Sequence, residues 1–177
     1  MGARRGGAAL AAILLAGCGG SHEAATPARD NAPNTLKLTS TAFADGAAIP
    51  KENSCDGAGA PPPLAWTGVP AKTRELVLVV EDPDAPGGTF VHWIAFGIPS
   101  GAKTMPADPA GGKNSAGKQG WTPPCPPAGK VHHYVFTLYA LNKASGLKPG
   151  ASAGQVRAAL SDGALARGRL TGTYRRR

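Results

Sequence analysis

Leu76-Val-Leu-Val-Val80 runs directly into Glu81-Asp-Pro-Asp-Ala-Pro86, and after Gly87 and Gly88 comes a second apolar run, Thr89-Phe-Val-His-Trp-Ile-Ala-Phe-Gly-Ile98. The first run is β-branched and aliphatic with no helical period, the pattern of a strand covered on both faces. Alternation along the second puts Phe90, His92, Ile94, Phe96 and Ile98 on one face and Val91, Trp93 and Ala95 on the other. Both faces are apolar, so this too reads as a central strand. Asp82, Asp84 and His92 sit where these runs meet. Ionisable groups at the mouth of a hydrophobic core are costly unless paired or put to use, which marks the stretch as a candidate site.

Working outward, His132-His-Tyr-Val-Phe-Thr-Leu-Tyr-Ala-Leu141 gives a third strong strand, with His132, Tyr134, Phe136 and Leu138 on one face and His133, Val135 and Tyr139 on the other. Leu36 to Phe43 alternates and is rich in Thr, as in a half-buried strand, and Leu64-Ala-Trp66 reads as a brief one. The segments 49–68 and 100–129 are dense in Pro and Gly and read as long ordered loops. Ser152 to Leu160 reads as a helix with Ser152 as N-cap, and Leu165 to Tyr174 as a second short helix turning into a closing strand. Together these predict a mostly β domain, a β-sandwich of two antiparallel sheets with a few peripheral helices near the C-terminus.

Upstream, Arg4 and Arg5 precede an apolar stretch, Ala8 to Ala16, that is too short to span a bilayer and reads as a targeting segment. It ends in Leu15-Ala16-Gly17-Cys18, which resembles the lipobox of bacterial lipoproteins and implies lipidation of Cys18 and a location in the bacterial cell envelope. The expected organisation is a signal peptide at 1–17, a flexible tether at 18–35 with no apolar period, and one folded domain at 36–177. The formal net charge is +8, but the basic residues are scattered apart from Arg175-Arg176-Arg177, and aromatics are not interleaved with Lys or Arg. This argues against nucleic-acid binding. With Cys18 set aside, Cys55 and Cys125 remain, either as two free thiols or as a disulfide worth about 3–4 kcal/mol by loop entropy.

Pro83 and Pro86 stiffen the acidic segment, so the carboxylates of Asp82 and Asp84, at i and i+2, are expected to project to one side, unless the segment simply makes a turn after a strand. His132 and Tyr134 share a strand face immediately after the long Pro/Gly loop. No histidine pair has the helical spacing of a zinc protease, no Gly-x-Ser-x-Gly elbow exists and no phosphate-binding glycine loop of the Walker type is present. The expectation is therefore neither a metal site nor a cofactor, and a protein that is not an enzyme.

The segments Asp82-Pro-Asp-Ala-Pro86 with His92-Trp93, and Gly112-Lys-Asn114 through Gly120-Trp-Thr-Pro-Pro-Cys-Pro-Pro127 to His132-His-Tyr134, resemble the two signature blocks of the phosphatidylethanolamine-binding protein family, in its bacterial Raf-kinase-inhibitor-like branch. Ser54-Cys-Asp-Gly57, Pro62-Pro-Leu-Ala-Trp66 and Leu170-Thr-Gly-Thr-Tyr174 agree with the resemblance. It implies a pocket for a small anion or phospholipid head group built from Asp82, Asp84, Pro86, His92, His132 and Tyr134, rimmed by Gly120 to Pro127. The family's alternative role, inhibition of a kinase or protease through protein contact, and a less favoured hydrolase reading with His132 or His92 as base, stand beside it. Trp121 and Pro123 depart from the family pattern and imply a stiffer, differently shaped rim.

Overall fold

The structure is a computed structural model and describes residues 1–2 and 32–177. The targeting segment, Cys18 and the tether up to residue 31 lie outside the described residues. Among the described residues, seven strands form two antiparallel sheets. The smaller pairs β1 (Lys37–Ser40) with β2 (Leu64–Thr67), and Leu38 lies opposite Trp66. The larger contains β3 (Glu75–Asp82), β4 (Phe90–Pro99), β5 (Ala110–Gly111), β6 (Val131–Leu141) and β7 (Ala164–Arg175), in the order β5-β4-β3-β6-β7. The central place of β3, with β4 and β6 on either side, is what its unbroken apolar run predicts.

Two cores follow from the two faces of the large sheet. On one, Leu76, Leu78 and Val80 of β3 and Tyr134, Phe136 and Leu138 of β6 meet Leu38, Leu64 and Trp66 of the small sheet. On the other, Val77, Val79, Ile94 and Phe96 meet Val156 and Leu160 of α1 (Ala153–Gly163), the one α-helix among the described residues. Each such side chain contributes about 1.5–3 kcal/mol on leaving water. Ser152 caps α1 as expected, in a capping box with Gln155: the serine hydroxyl accepts from Gln155 N, and the Gln155 side chain accepts from Ser152 N. The remaining helical turn among the described residues is a 3-10 turn at Lys51–Asn53.

Two expectations change. Leu165 to Tyr174 does not begin as a helix: α1 ends at Gly163, and the chain passes straight into β7, which pairs with β6 along its whole length. The Ala, Leu and Arg content of this segment suits a helix, but the long β6 ladder overrides that weak preference. The two faces of β4 also do not alternate strictly. Val80 lies opposite Trp93 and Glu81 opposite Val91, leaving His92 as an extra residue. A second irregularity between Leu76 and Leu78 encloses Gly97, at φ 67°. These β-bulges bring Trp93, Ala95 and Ile98 into the sandwich core and send Ile94 and Phe96 to the helix side.

The chain before β1 is also held. Leu36 N donates to Arg167 O at 3.0 Å and Arg167 N to Pro33 O at 2.9 Å, so residues 33–36 lie alongside β7. Gly168 permits this crossing, because a Cβ there would stand 2.6 Å from Leu36 O.

Candidate functional site

The bulge in β4 turns His92 toward the start of β6, and the end of β3 brings Asp82 to the same place. A cleft of about 210 Å³ opens there, lined by Asp82, Ala85, Pro86, Phe90, His92, Thr122, Pro123, Cys125, Pro126, Pro127, His132 and Tyr134. Five of the six residues expected at a ligand pocket thus converge, from segments about fifty residues apart.

Asp82 is the hub. It is 3% exposed, its Oδ2 accepts from His132 Nδ1 at 2.7 Å, and its Oδ1 accepts from Asp84 N at 2.8 Å. His92 Nε2 stands 4.0 Å from the same Oδ2. His92 is fixed from behind: its Nδ1 and the Thr122 carbonyl oxygen are 2.7 Å apart, and Thr122 N donates to His92 O at 2.9 Å. A carbonyl only accepts, so His92 carries its proton on Nδ1 and leaves Nε2 toward Asp82. Burial, the largest influence, pushes the His92 imidazole below its ordinary value, against the opposing Thr122 hydrogen bond and Asp82 charge. The neutral ring therefore presents an acceptor at Nε2.

Tyr134 lines the same cleft, is fully buried, and its hydroxyl has no hydrogen-bond partner among the described residues. Burial first, then the charges of Asp82 and Asp84, raise the phenol far above its usual value, so it remains an O–H donor. A buried donor without a partner forfeits on the order of 1–3 kcal/mol. His92 packs edge-on to Tyr134 at 5.1 Å between ring centres and against Phe90 at 4.7 Å, which restricts the imidazole.

Asp84 departs from the expectation that the two carboxylates converge. Asp82 forms a turn onto Asp84 N, and this swings the second carboxylate outward, where its Oδ2 accepts from His133 N at 2.8 Å and pairs with His133 Nδ1 at 2.7 Å. Asp84 is not among the residues lining the cleft. The His133 hydrogen bonds, side chain first, hold its carboxyl below the usual range.

The rim is stapled on its outer side. Cys55 and Cys125 form a disulfide across 70 residues, which settles the alternative of two free thiols. Asn114, buried, ties the preceding turn together: its Nδ2 donates to Gly120 O and Thr122 Oγ1, and its Oδ1 accepts from Ala116 N and Lys118 N. Trp121 lies behind the cleft, stacked on Phe136 at 5.9 Å and edge-on to Trp93 at 5.8 Å. It thus stiffens the backing of His92 and leaves the mouth to Pro123, Pro126 and Pro127. Phe90 lies outside the set expected from sequence, and Thr122 falls within the expected Gly120–Pro127 rim without its role toward His92 being marked. Phe90 had a signal, its place two residues from His92, whereas the Thr122 carbonyl had none.

Residues 39–175 match the family described as phosphatidylethanolamine-binding protein. The protein named "Putative lipoprotein LppC" from Mycobacterium tuberculosis is 45% identical, with 92% of this chain and 90% of that protein covered. A UPF0098 protein of Methanothermobacter thermautotrophicus is 40% identical over 80% of this chain and 99% of its own length. Among solved structures, CT736 from Chlamydia trachomatis superposes with a TM-score of 0.77 at 37% identity, covering 81% of this chain and 99% of that one. YbcL of E. coli, described as a new member of the mammalian PEBP family, gives 0.74 at 29% identity, covering 81% of this chain and 99% of that one. The chain belongs to the phosphatidylethanolamine-binding protein family.

Proposed function

We propose that the protein is an exported, lipid-anchored binding protein, not an enzyme, whose cleft takes a small phosphate-type group, free or as a phospholipid head group. The observation that carries this reading is the buried Tyr134 hydroxyl, a donor without a partner in a cleft walled by two imidazoles. A phosphate oxygen satisfies that donor, and the His132 edge adds a second polar contact. The neutral His92 Nε2 accepts from a ligand O–H or ammonium N–H, which suits a protonated phosphate or a phosphoethanolamine. Asp82 orients His132 and the Thr122 carbonyl orients His92, while Asp84 acts from outside through His133.

Binding without turnover fits the groups at hand. Cys125, the sulfur at the cleft, is bonded to Cys55 and is no thiolate nucleophile. Export and anchoring rest on the lipobox-like Leu15 to Cys18 and on the lipoprotein name carried by the Mycobacterium relative.

Calorimetric titration with phosphoethanolamine and with inorganic phosphate, using His132→Ala as control, tests the reading. Millimolar or tighter binding that the variant weakens supports it. Absence of binding at millimolar ligand, or equal binding by His132→Ala, overturns it.

A further inference from the structure

Of the cluster Arg175-Arg176-Arg177, the first two arginines are built into the fold. β7 runs to Arg175, Arg176 O accepts from Gly129 N at 2.9 Å, and Arg176 Nε donates to Asp56 Oδ1 at 3.2 Å. Tyr174 donates its hydroxyl to Asp56 Oδ2 at 2.7 Å. Asp56 is thereby engaged by Tyr174 and Arg176. Around it lies an open cleft of about 590 Å³ lined by Lys51, Asp56, Tyr174, Arg175 and Arg177. No ion pair among the described residues holds Lys51, Arg175 or Arg177, so the cleft carries an excess of positive charge.

Two features show what such a surface fits. Val131, directly opposite Arg175 in the β6–β7 ladder and next to the exposed Lys130, is half exposed, which is unusual for a large aliphatic residue in this fold. An apolar residue set among cations is the pattern of contact with a membrane interface. The one aromatic ring of the patch, Tyr174, is largely buried with its hydroxyl spent on Asp56, so the stacking platform that single-stranded nucleic acid requires is missing.

We infer that this end of the molecule docks on an anionic lipid surface, with Lys51, Arg175 and Arg177 facing lipid phosphates and Val131 entering the interface. The docking end is also the ligand-cleft end. His132 is the cross-strand partner of Tyr174, and Cys55, next to Asp56, is bonded to Cys125 on the cleft rim. The arrangement holds the cleft close to the surface from which a phospholipid head group comes, although the docking itself is independent of what fills the cleft.

The test is co-sedimentation of the full chain carrying Cys18→Ser, which removes lipidation, with phosphatidylcholine vesicles lacking or containing phosphatidylglycerol. The gain from phosphatidylglycerol is expected to fall on the order of ten-fold in Arg175→Gln/Arg177→Gln and to collapse at high salt. Arg177→Glu, at an exposed position outside β7, should give the same direction, and His132→Ala should keep the gain. An equal gain in all variants, or no gain in the parent chain, overturns the inference. So does heparin binding that needs these arginines in a chain showing no vesicle preference.

Discussion

His132 and Asp82, fifty residues apart in sequence, share a hydrogen bond of 2.7 Å between Nδ1 and Oδ2, with both side chains buried. This bond joins the end of β3 to the start of β6 at the floor of the cleft. Removing one partner strands the other in a poorly solvated place. Asp82→Ala should therefore cost about 3 kcal/mol, because it also frees Asp84 N. Urea unfolding measures it, and a loss under 1 kcal/mol would show that the pair is not a structural joint. Asp82→Asn offers an amide whose orientation must contend with both donors. Nitrogen-15 NMR of the imidazole should report a change in the His132 tautomer or hydrogen bonding relative to the parent chain.

The disulfide gives a second prediction, since Cys125 both closes a long loop and forms part of the cleft rim. Cys55→Ser/Cys125→Ser should lose about 3–4 kcal/mol of stability by loop entropy. The same variant should bind phosphoethanolamine more weakly, as the Pro-rich rim loses its outer tether. Stability and affinity falling together, in denaturation and calorimetry, is the expected pair of results.

The sequence made the sandwich legible where a single pattern was strong. The continuous apolar run of β3 and the alternation from His132 to Leu138 each state which side is inside, and both are buried as read. What stayed hidden depends on register. Nothing in Phe90 to Ile98 announces that His92 is an extra residue opposite β3, because a bulge is a property of the pair of strands. The same holds for Asp84: its spacing from Asp82 predicts convergence, but the Asp82 side chain makes a local turn that sends the second carboxylate to His133. The first half of β7 is hidden from local preference because the sheet supplies its partner, β6.

Gly168 carries a steric prediction. A methyl group there would meet the Leu36 carbonyl oxygen at 2.6 Å and Leu36 Cβ at 2.8 Å, and a backbone group cannot rotate away. Gly168→Ala should cost about 1–3 kcal/mol, and hydrogen exchange at Leu36 N and Arg167 N should speed up, because the N-terminal segment must lift from β7.

Asp84 and His133 form an exposed pair, so its worth is small even though the hydrogen bonds are short. The Asp84 pKa is depressed in the folded protein, so its contribution is present above the unfolded carboxylate value and is lost as pH falls through the folded one. Asp84→Asn should cost under about 1 kcal/mol at neutral pH, with the difference from the parent chain vanishing in acid. Ligand affinity should change little, which separates Asp84 from Asp82 in the same calorimetric assay.

The pH dependence of binding follows from His92. Its folded pKa is lowered chiefly by burial, so the free protein at neutral pH holds a neutral ring whose Nδ1 is committed to Thr122. A phosphodiester such as glycerophosphoethanolamine brings acceptor oxygens and a phosphate that does not titrate near neutrality. When such an oxygen approaches Nε2, the protonated ring becomes the favoured form, and binding takes up a proton. Affinity should then rise as pH falls from 8 toward 6, by at most about ten-fold per unit, and level off below the folded His92 value. Calorimetry in buffers of different ionisation enthalpy counts the proton directly. His92→Gln, which keeps a side chain able to accept and donate but cannot titrate, should flatten the profile. A profile equally steep in His92→Gln would show that His92 does not take up the proton.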